Sequence, residues 1–414
     1  MMSDKRNKQE QPNALLASRS SQTVGEYIRS YFQRIGSGDL GAIPIIFGLI
    51  VIAVIFQTQN ENFLTPRNFV SLILQMAGIT TIAYGVVFVL LLGEIDLSIG
   101  YVSAVGGVGM TLLLLEPGGW PWFAAIPVAL IATACIGLLH GLIITTFQVP
   151  SFVVTLAGLL AWNGVVLIII GGGGTVIIQD KVVIGIANFF LPDVWGWIVA
   201  ALVIVAFAWV QLQQTITRRQ RGLAATPMVI VIAQIFFLTA LTVIAVYIAN
   251  QDRGVPIVGL ILVVLLTGLS FLATRTKFGR YVYAVGGNKE AARRAGINVE
   301  RIRVIVFIMS STLAGMGGII LASRLRSVAT DAGGGNLLLN SIAAAVIGGT
   351  SLFGGSGRVS SALLGALVIA SVENGMGLLG LSSGVKFVVT GLVLLIAVLV
   401  DAVSRRSRAQ SGLV

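Results

Sequence analysis

Residues 69–100 read FVSLILQMAGITTIAYGVVFVLLLGEIDLSIG, a long apolar run that ends in a short segment with two carboxylates. The stretch 69–92 contains no charged side chain. About 20 consecutive apolar residues are enough for a helix to cross the hydrocarbon layer of a membrane. The sequence therefore predicts a membrane-spanning helix that ends near Gly93. A second apolar run, 98–115, follows the polar break at 93–98.

The composition of the whole chain supports a membrane protein. Hydrophobic residues make up 56% of the 414 residues, charged residues only 10%, and the mean hydropathy is +0.96. A soluble chain of this length carries about 25% charged residues, which it needs to cover water-facing surfaces. The 50 glycines fit the same class, because small residues let membrane helices approach closely.

Hydropathy and charge together predict an all-α polytopic membrane protein with about twelve spans. The candidate spans are 42–58, 69–92, 98–115, 122–147, 151–171, 195–213, 227–249, 255–274, 302–323, 337–353, 358–374 and 383–401. Lys and Arg concentrate at 218–221, 275–303 and 405–408, which are alternate loops in this count. The positive-inside rule therefore places both termini in the cytoplasm, as tails at 1–40 and 404–414 around a permease domain at 41–403.

The segment 337–353 is short for a span and runs into the glycine-rich stretch GGTSLFGGSGR at 348–358. Non-helical backbone is tolerated at membrane depth only where protein or a water-filled cavity satisfies its amide groups. We therefore expect a broken or re-entrant helix here. The glycine tracts at 171–175 and 333–335 are predicted to be flexible outside loops.

The carboxylates Glu94 and Asp96 allow two interpretations. A charged carboxylate at the membrane centre costs roughly 2.5–3.5 kcal/mol, so an acid placed there indicates function. In the other interpretation they mark an ordinary loop, in which Asp96 or Ser98 caps the next helix. Asp96 is expected to matter more than Glu94, because a shorter carboxylate is better suited to accept backbone N–H groups at a helix start.

Several kinds of chemistry lack the residues they need. The single histidine, His140, cannot build a metal site and is expected to be a hydrogen-bonded packing residue. The single cysteine, Cys135, is predicted to be a packing residue, and the chain contains no phosphate-binding loop of the ATPase type. The basic charge indicates membrane topology and lipid contact, and we expect no nucleic-acid binding. Glu373 and Lys386 are the other ionisable residues near predicted spans, so an ion-coupled carrier remains an alternative.

The longest polar interruption after the N-terminal tail is 274–303, which the charge rule places in the cytoplasm. Within it, NKEAARRAGI offers Asn288 as an N-cap, a helix-favouring stretch 289–294, and Gly296 as a stop. The pattern predicts a short helix lying along the membrane. Such a helix can dock onto a partner protein or hold lipid headgroups.

Four motifs in order resemble the monosaccharide-type permease subunits of bacterial ABC importers. They are GEIDLSIG at 93–100, VPSFVVTLAGLLAWNGV at 149–165, GRYVYAVGGNKEAARRAGINVERIR at 279–303 and AAAVIGGTSLFGGSGRVSSALLGA at 343–366. The resemblance covers nearly the whole chain from about residue 42. It implies ten core spans and a cytoplasmic loop of pattern Gly-Asn-x-x-Ala-Ala-x-x-x-Gly-Ile that docks onto an ATPase subunit. The residues implied in this coupling are Gly287, Asn288, Ala291, Ala292, Gly296 and Ile297, together with Glu290 between them.

The chain departs from the ten-span pattern by an insert at 195–250, predicted to be two helices joined by the basic loop TITRRQRGLAATP. The D-xylose permeases are similar in having a two-helix insert followed by RGVP, here residues 253–256. The resemblance therefore favours D-xylose as the transported sugar. Ribose, galactose, arabinose and autoinducer-2 permeases share the four core motifs and remain alternatives.

The resemblance also implies the partners. The chain is expected to be a transport subunit and not an enzyme, to bind no cofactor itself, and to form a homodimer in the inner membrane. A partner ATPase with tandem nucleotide-binding domains uses ATP and Mg²⁺, and a periplasmic or lipid-anchored binding protein delivers the sugar. An ion-coupled carrier and a membrane scaffold are the competing classes. The candidate sugar-path residues are Glu94, Asp96, Ser98, Asn163 and Asn374.

Overall fold

The computed structural model describes residues 43–223 and 225–410, together with positions 24, 25, 29 and 41. Most of the tail predicted at 1–40 and the last four residues therefore lie outside the described part of the chain. The described residues between 43 and 410 contain fifteen helices and four very short strands, joined by turns and loops. The helical class predicted from the composition is confirmed, and the helices extend to Gln410, beyond the predicted start of the C-terminal tail at 404.

The helices are numbered here in chain order. They are α1 Ile43–Gln59, α2 Pro66–Leu91, α3 Ile99–Leu113, α4 Trp122–Thr146, α5 Ser151–Ile170, α6 Lys181–Asn188, α7 Asp193–Gln220, α8 Met228–Asn250, α9 Ile257–Arg275, α10 Lys277–Gly287, α11 Lys289–Arg294, α12 Val299–Leu325, α13 Leu337–Ile347, α14 Val359–Leu378 and α15 Ser383–Gln410. Gly171–Gly173 forms one turn of 3₁₀ helix.

The strands are β1 Thr175–Ile177, β2 Phe190–Leu191, β3 Val255–Pro256 and β4 Ser327–Ala329. β1 and β4 pair antiparallel with Val176 opposite Val328, and β2 pairs with β3. The β1–β4 pair ties the loop after α5 to the loop after α12, so the predicted loop at 171–175 consists of a 3₁₀ turn followed by the first residue of a paired strand.

Eight helices are long and apolar enough to cross a membrane, namely α2, α4, α5, α7, α8, α9, α12 and α14. Four shorter apolar helices correspond to the remaining predicted spans: α1, α3, α13 and the Ser383–Val393 part of α15. The chain is thus a polytopic helical membrane protein by length and composition. The number twelve stays a prediction, because the shorter helices do not each reach the length of a complete crossing.

The helix α13 is the clearest incomplete span. It contains 11 residues, so it is only about 17 Å long, roughly half the hydrocarbon thickness. Turns and irregular backbone follow it from Gly348 to Arg358 before α14 begins. This matches the expectation of a broken helix at 337–353.

Helices α2 and α12 form the centre of the residues 41–190 and 256–405, which make one compact unit. The most apolar stretch of α2 is 89% buried, and α12 packs against α2, α3 and α4. A helix that is apolar on all sides is expected in the interior. Glycines allow the close approach: a Cβ on Gly106 would lie 2.6 Å from the Cα of Gly315, and a Cβ on Gly137 would collide with the carbonyl of Phe307.

The segment Leu191–Val255 belongs to a second compact unit. It contains α7 and α8, which pack against each other, and Pro227 directly precedes α8 as its N-cap residue. Only 11% of the most apolar stretch of each helix is buried, so most of this apolar surface is of the kind that lipid covers. Two helices thus occupy the predicted segment 195–250, and its description as an insert into a ten-span core stays a prediction.

Candidate functional site

The polar break begins where Gly93 ends α2. Gly93 has φ of +71°, and its N–H donates to the carbonyl of Leu90, while the N–H of Glu94 donates to the carbonyl of Val89. This left-handed glycine after a helix is a common termination that satisfies the last carbonyl groups. The chain therefore leaves α2 at a fixed angle, and residues 94–98 run as a short non-helical segment into α3.

The carboxylate of Glu94 is held by two cations from the segment after α9. Oε1 of Glu94 lies 2.7 Å from Nζ of Lys289 in α11 and 2.8 Å from Nη2 of Arg303 in α12. The side chain of Glu94 is 6% exposed and that of Arg303 12%, whereas that of Lys289 is 45% exposed. The Arg303 pair is thus the buried one. Removing one partner from a buried ion pair costs about 3–5 kcal/mol, because the other charge stays buried without compensation.

Asp96 organises the start of α3. Its Oδ1 accepts the backbone N–H of Ser98 at 2.9 Å and the hydroxyl of Ser98 at 2.6 Å. Ser98 is the N-cap residue of α3, but its own side chain makes no capping hydrogen bond within the described chain. The expectation that Asp96 or Ser98 caps this helix is met only in the position of Ser98 as N-cap residue, because the carboxylate of Asp96 binds Ser98 itself and accepts no N–H group from inside α3. Burial raises the pKa of Asp96, and the hydrogen bonds from Ser98 oppose that shift.

A line of hydrogen bonds connects Asp96 to two further helices. Nε1 of Trp162 in α5 donates to Nε2 of His140 in α4 at 3.1 Å, and Nδ1 of His140 lies 3.4 Å from Oγ of Ser98. Because indole N–H can only donate, the neutral imidazole carries its proton on Nδ1 and donates it to Ser98. The prediction that His140 is a hydrogen-bonded packing residue is confirmed. Gly158 makes room for the ring, since a Cβ there would lie 2.6 Å from Nε2 of His140.

Helix α5 holds the break from one side. The N–H of Ile95 donates to Oγ of Ser151 at 3.3 Å, and the N–H of Leu97 donates to Oγ1 of Thr155 at 3.1 Å. Ser151 and Thr155 are four residues apart, so they lie on one face of α5. Their hydroxyls satisfy backbone amides that the non-helical segment leaves without partners in its own backbone.

Glycine-rich backbone holds the break from the other side. The N–H of Gly355 donates to the carbonyl of Leu91 at 3.0 Å, and a Cβ on Gly286 of α10 would collide with that same carbonyl oxygen. Gly354, with φ of +88°, lies against Gly93 and Gly286. The tyrosine Tyr283 donates its hydroxyl to the carbonyl of Gly357 at 2.8 Å. The glycines of 348–358 thus serve close backbone packing of three chain segments.

The short helix α11 agrees with the sequence prediction residue by residue. Oδ1 of Asn288 accepts the N–H of Ala291 at 2.9 Å as the N-cap, and Gly296 has φ of +80° just past the end. Arg293 bridges Glu290 at 3.0 Å and Glu300 at 2.6 Å. A helix of six residues is marginal by itself. The caps and the ion pairs stabilise it.

The predicted coupling residues divide into two groups by their exposure. Ala292 is 4% exposed and Ile297 packs against the core, so these two anchor the segment. The outward-facing group consists of Gly287, Asn288, Glu290, Ala291 and Gly296. Only the outward-facing group is available to a partner protein.

The predicted sugar-path residues do not all come together. Glu94, Asp96 and Ser98 lie in one cluster, which we call the 93–98 cluster with its partners His140, Lys289 and Arg303. Asn374 lies at the other end of α2, where it and Asn68 exchange two hydrogen bonds of 2.9 Å. Asn163 is half-buried on α5 beside Trp162 and has no hydrogen bond among the described residues. The position of Asn374 could not be predicted from the sequence, because nothing in the intervening loops indicates that α14 packs against α2.

Comparisons with known proteins all indicate the permease component of a transport system. The family whose model matches residues 68–398 is described as "Branched-chain amino acid transport system / permease component". The chain is 39% identical over 383 residues to the xylose transport system permease protein XylH of Escherichia coli (strain K12), covering 91% of this chain and 95% of that protein.

Two further relatives extend the comparison. The xylose transport system permease protein XylH of Haemophilus influenzae is 35% identical over 90% of this chain and 99% of its own length. The ribose import permease protein RbsC of Bacillus subtilis is 32% identical over 88% of this chain and 94% of its own length. No solved structure matches the chain.

Proposed function

Since this chain belongs to the family described as the permease component of the branched-chain amino acid transport system, we propose that it is the permease of an ABC importer for a monosaccharide, D-xylose in preference to others. The observation that carries the proposal is the 39% identity to a xylose permease over 91% of this chain, which leaves no large region unmatched. The relative named for ribose is 32% identical, which favours the pentose D-xylose over ribose and makes ribose the second candidate.

The chain works with partners that supply energy and substrate. An ATPase subunit hydrolyses ATP with Mg²⁺, and a periplasmic or lipid-anchored binding protein delivers the sugar. Two copies of the permease form the transport unit in the inner membrane, with both termini in the cytoplasm. The chain itself performs no chemical reaction on the sugar.

The geometry supports a route by which the ATPase moves the membrane helices. The ATPase docks on the outward-facing group of the coupling segment around α11. A displacement of α11 moves Lys289, and a displacement of the start of α12 moves Arg303; both side chains hold Glu94. Glu94 lies between α2 and α3. Just before it in the chain, the backbone of Gly286 and Gly355 contacts the carbonyl of Leu91. The motion therefore reaches two membrane helices through contacts within one cluster.

The test is transport by the reconstituted importer. Proteoliposomes with the permease, its ATPase and the loaded binding protein should accumulate labelled D-xylose only when ATP is supplied, and unlabelled D-xylose should compete better than ribose, galactose or arabinose. Uptake that needs an ion gradient but no ATPase would instead establish an ion-coupled carrier. The absence of any sugar flux under either condition would favour a scaffold.

A further inference from the structure

A second polar cluster lies where α13 begins. Nδ2 of Asn340, in the first turn of α13, donates to Oε1 of Glu373 in α14 at 2.5 Å. Glu373 lies five residues before the end of α14 and next to Asn374, which binds Asn68 at the start of α2. The 93–98 cluster follows the other end of α2. The two clusters are connected more directly through α3, because a Cβ on Gly100, two residues after Ser98, would lie 3.4 Å from Cβ of Leu338 in the first turn of α13.

Two cations lie near Glu373, namely Arg324 close to the end of α12 and Lys386 in the first turn of α15. Gly377 lies one turn after Glu373 on the same face of α14. A Cβ on Gly377 would lie 3.9 Å from Nζ of Lys386, so the ammonium group lies on the face of α14 that carries Glu373. Among the residues whose side chains are described, neither cation donates a hydrogen bond. Their N–H groups are therefore available to a ligand.

Asn340 also has a hydrogen-bond acceptor that no described residue uses. Its side chain is only 2% exposed, and its Oδ1 has no hydrogen-bond partner among the described residues. An unpaired buried polar atom costs roughly 1–3 kcal/mol, so such atoms are rare unless something binds them. The atom lies at the start of α13, the helix that covers only about half of the membrane. Broken helices of this kind form the substrate sites of many membrane transporters.

We propose that Asn340, Glu373, Arg324 and Lys386 form a binding site for an uncharged polyhydroxylated ligand, a monosaccharide, at the start of the half-length helix α13. This site rests on the proposed function and specifies where the permease holds the sugar on its way through the bundle. A sugar ring needs acceptors and donors together, and the cluster offers a carboxylate and an amide oxygen beside an ammonium and a guanidinium group. Glu373 offsets one of the two positive charges, so the attraction of the cluster for an anionic ligand is weaker than that of the two cations alone.

The measurement that separates this role from a structural one is the number of sugar molecules moved per ATP hydrolysed. In proteoliposomes with the ATPase and the loaded binding protein, Glu373→Gln and Lys386→Met should each lower this ratio at least about tenfold, because each removes a charged partner of the sugar hydroxyls. The amide oxygen introduced by Glu373→Gln still accepts the hydrogen bond from Asn340, and Lys386→Met keeps an unbranched apolar side chain of similar length. Both variants are therefore expected to fold. Ser371→Ala is the matched control, since Ser371 is a buried residue of the same helix outside the cluster.

A ratio equal to that of the wild type in both variants would overturn the proposal. A proportional loss of uptake and ATP hydrolysis, with an unchanged ratio, would also overturn it, because that result assigns the cluster to folding. Failure of the wild-type protein to move any of the tested monosaccharides with ATP would defeat the proposed function, and this inference with it. A lowered ratio in both variants with a normal ratio in Ser371→Ala supports the site.

Discussion

Replacing Glu94 by Gln tests the link between the coupling segment and the membrane helices. The variant keeps the size of the side chain but removes the charge that Arg303 and Lys289 share. The Arg303 pair is buried, with side-chain exposures of 12% and 6%, so its loss is expected to cost about 3 kcal/mol. The Lys289 side chain is 45% exposed, so solvent screening limits its share to about 0–1 kcal/mol. A cost of about 3 kcal/mol corresponds to a change of on the order of a hundredfold in an equilibrium constant.

The assay is a double-mutant cycle on ATP-driven D-xylose uptake at matched membrane expression. Glu94→Gln and Arg303→Gln should each lower uptake at least about tenfold, and the double variant should lose little more than either one, because the pair acts as a unit. Lys289→Gln should be the mildest of the set. Glu61→Gln, an exposed acid in the loop before α2, is the control for the substitution itself. Strictly additive losses in the double variant, or normal uptake by Glu94→Gln, would refute the link.

Three further substitutions test other parts of the 93–98 cluster and the coupling segment. Asp96→Ala removes the acceptor of both Ser98 hydrogen bonds and should cost about 1–3 kcal/mol, so its uptake should be lower than that of Asp96→Asn; equal and normal uptake by both would assign Asp96 to an ordinary loop. Gly286→Ala places a methyl group on the carbonyl of Leu91 and should lower the melting temperature in detergent by several degrees, whereas Gly287→Ala, with nothing within 4 Å, should leave it unchanged. Glu290→Lys should abolish stimulation of the ATPase while the permease stays folded, and wild-type stimulation would remove Glu290 from the docking surface.

Local chemistry in the sequence was sufficient for the parts of the structure that depend on neighbouring residues. The short helix α11 begins and ends where Asn288 and Gly296 predict, because capping is decided within a few residues. The turn at Asp96 is predictable for the same reason, since its partner Ser98 is two residues away. The cluster of glycines at 348–358 was correctly expected to interrupt a helix.

Contacts between distant segments were not predictable in this way. Lys289 and Glu94 are 195 residues apart, and no local pattern marks them as partners. The sequence therefore ranks Asp96 above Glu94, and the ion pairs change this expectation by giving Glu94 one largely buried partner, Arg303, and one exposed partner, Lys289. The bond from Trp162 to His140 joins two helices, and its only signal in the sequence is that a lone buried histidine needs a partner. Residue type alone predicts Asn374 in the same sugar path as Glu94, although Asn374 lies at the opposite end of α2.

The helix α2 connects the two clusters, which leads to a prediction about coupling over distance. Its start is fixed to α14 by the two hydrogen bonds between Asn68 and Asn374, next to Glu373, and its end is fixed by Leu91 to Gly355, next to Glu94. Because α2 is 89% buried along its most apolar stretch, it is packed on all sides and moves with its neighbours as a rigid element. A route for coupling requires evidence that a perturbation at one end changes the response at the other.

Asn68→Ala supplies that perturbation. It removes the two hydrogen bonds with Asn374 and the one to the carbonyl of Phe63, about 1–3 kcal/mol in total, at a site about 35 Å along α2 from Leu91. We expect stimulation of the ATPase by the sugar-loaded binding protein to fall several-fold, while ATP hydrolysis without the binding protein stays normal because the coupling segment is intact. Thr81→Val is the control, since the hydroxyl of Thr81 bonds only the carbonyl of Ala77 within the same helix. If Asn68→Ala responds to the binding protein as fully as Thr81→Val does, α2 does not carry the signal, and the two clusters must be connected through α3, α12 or α14.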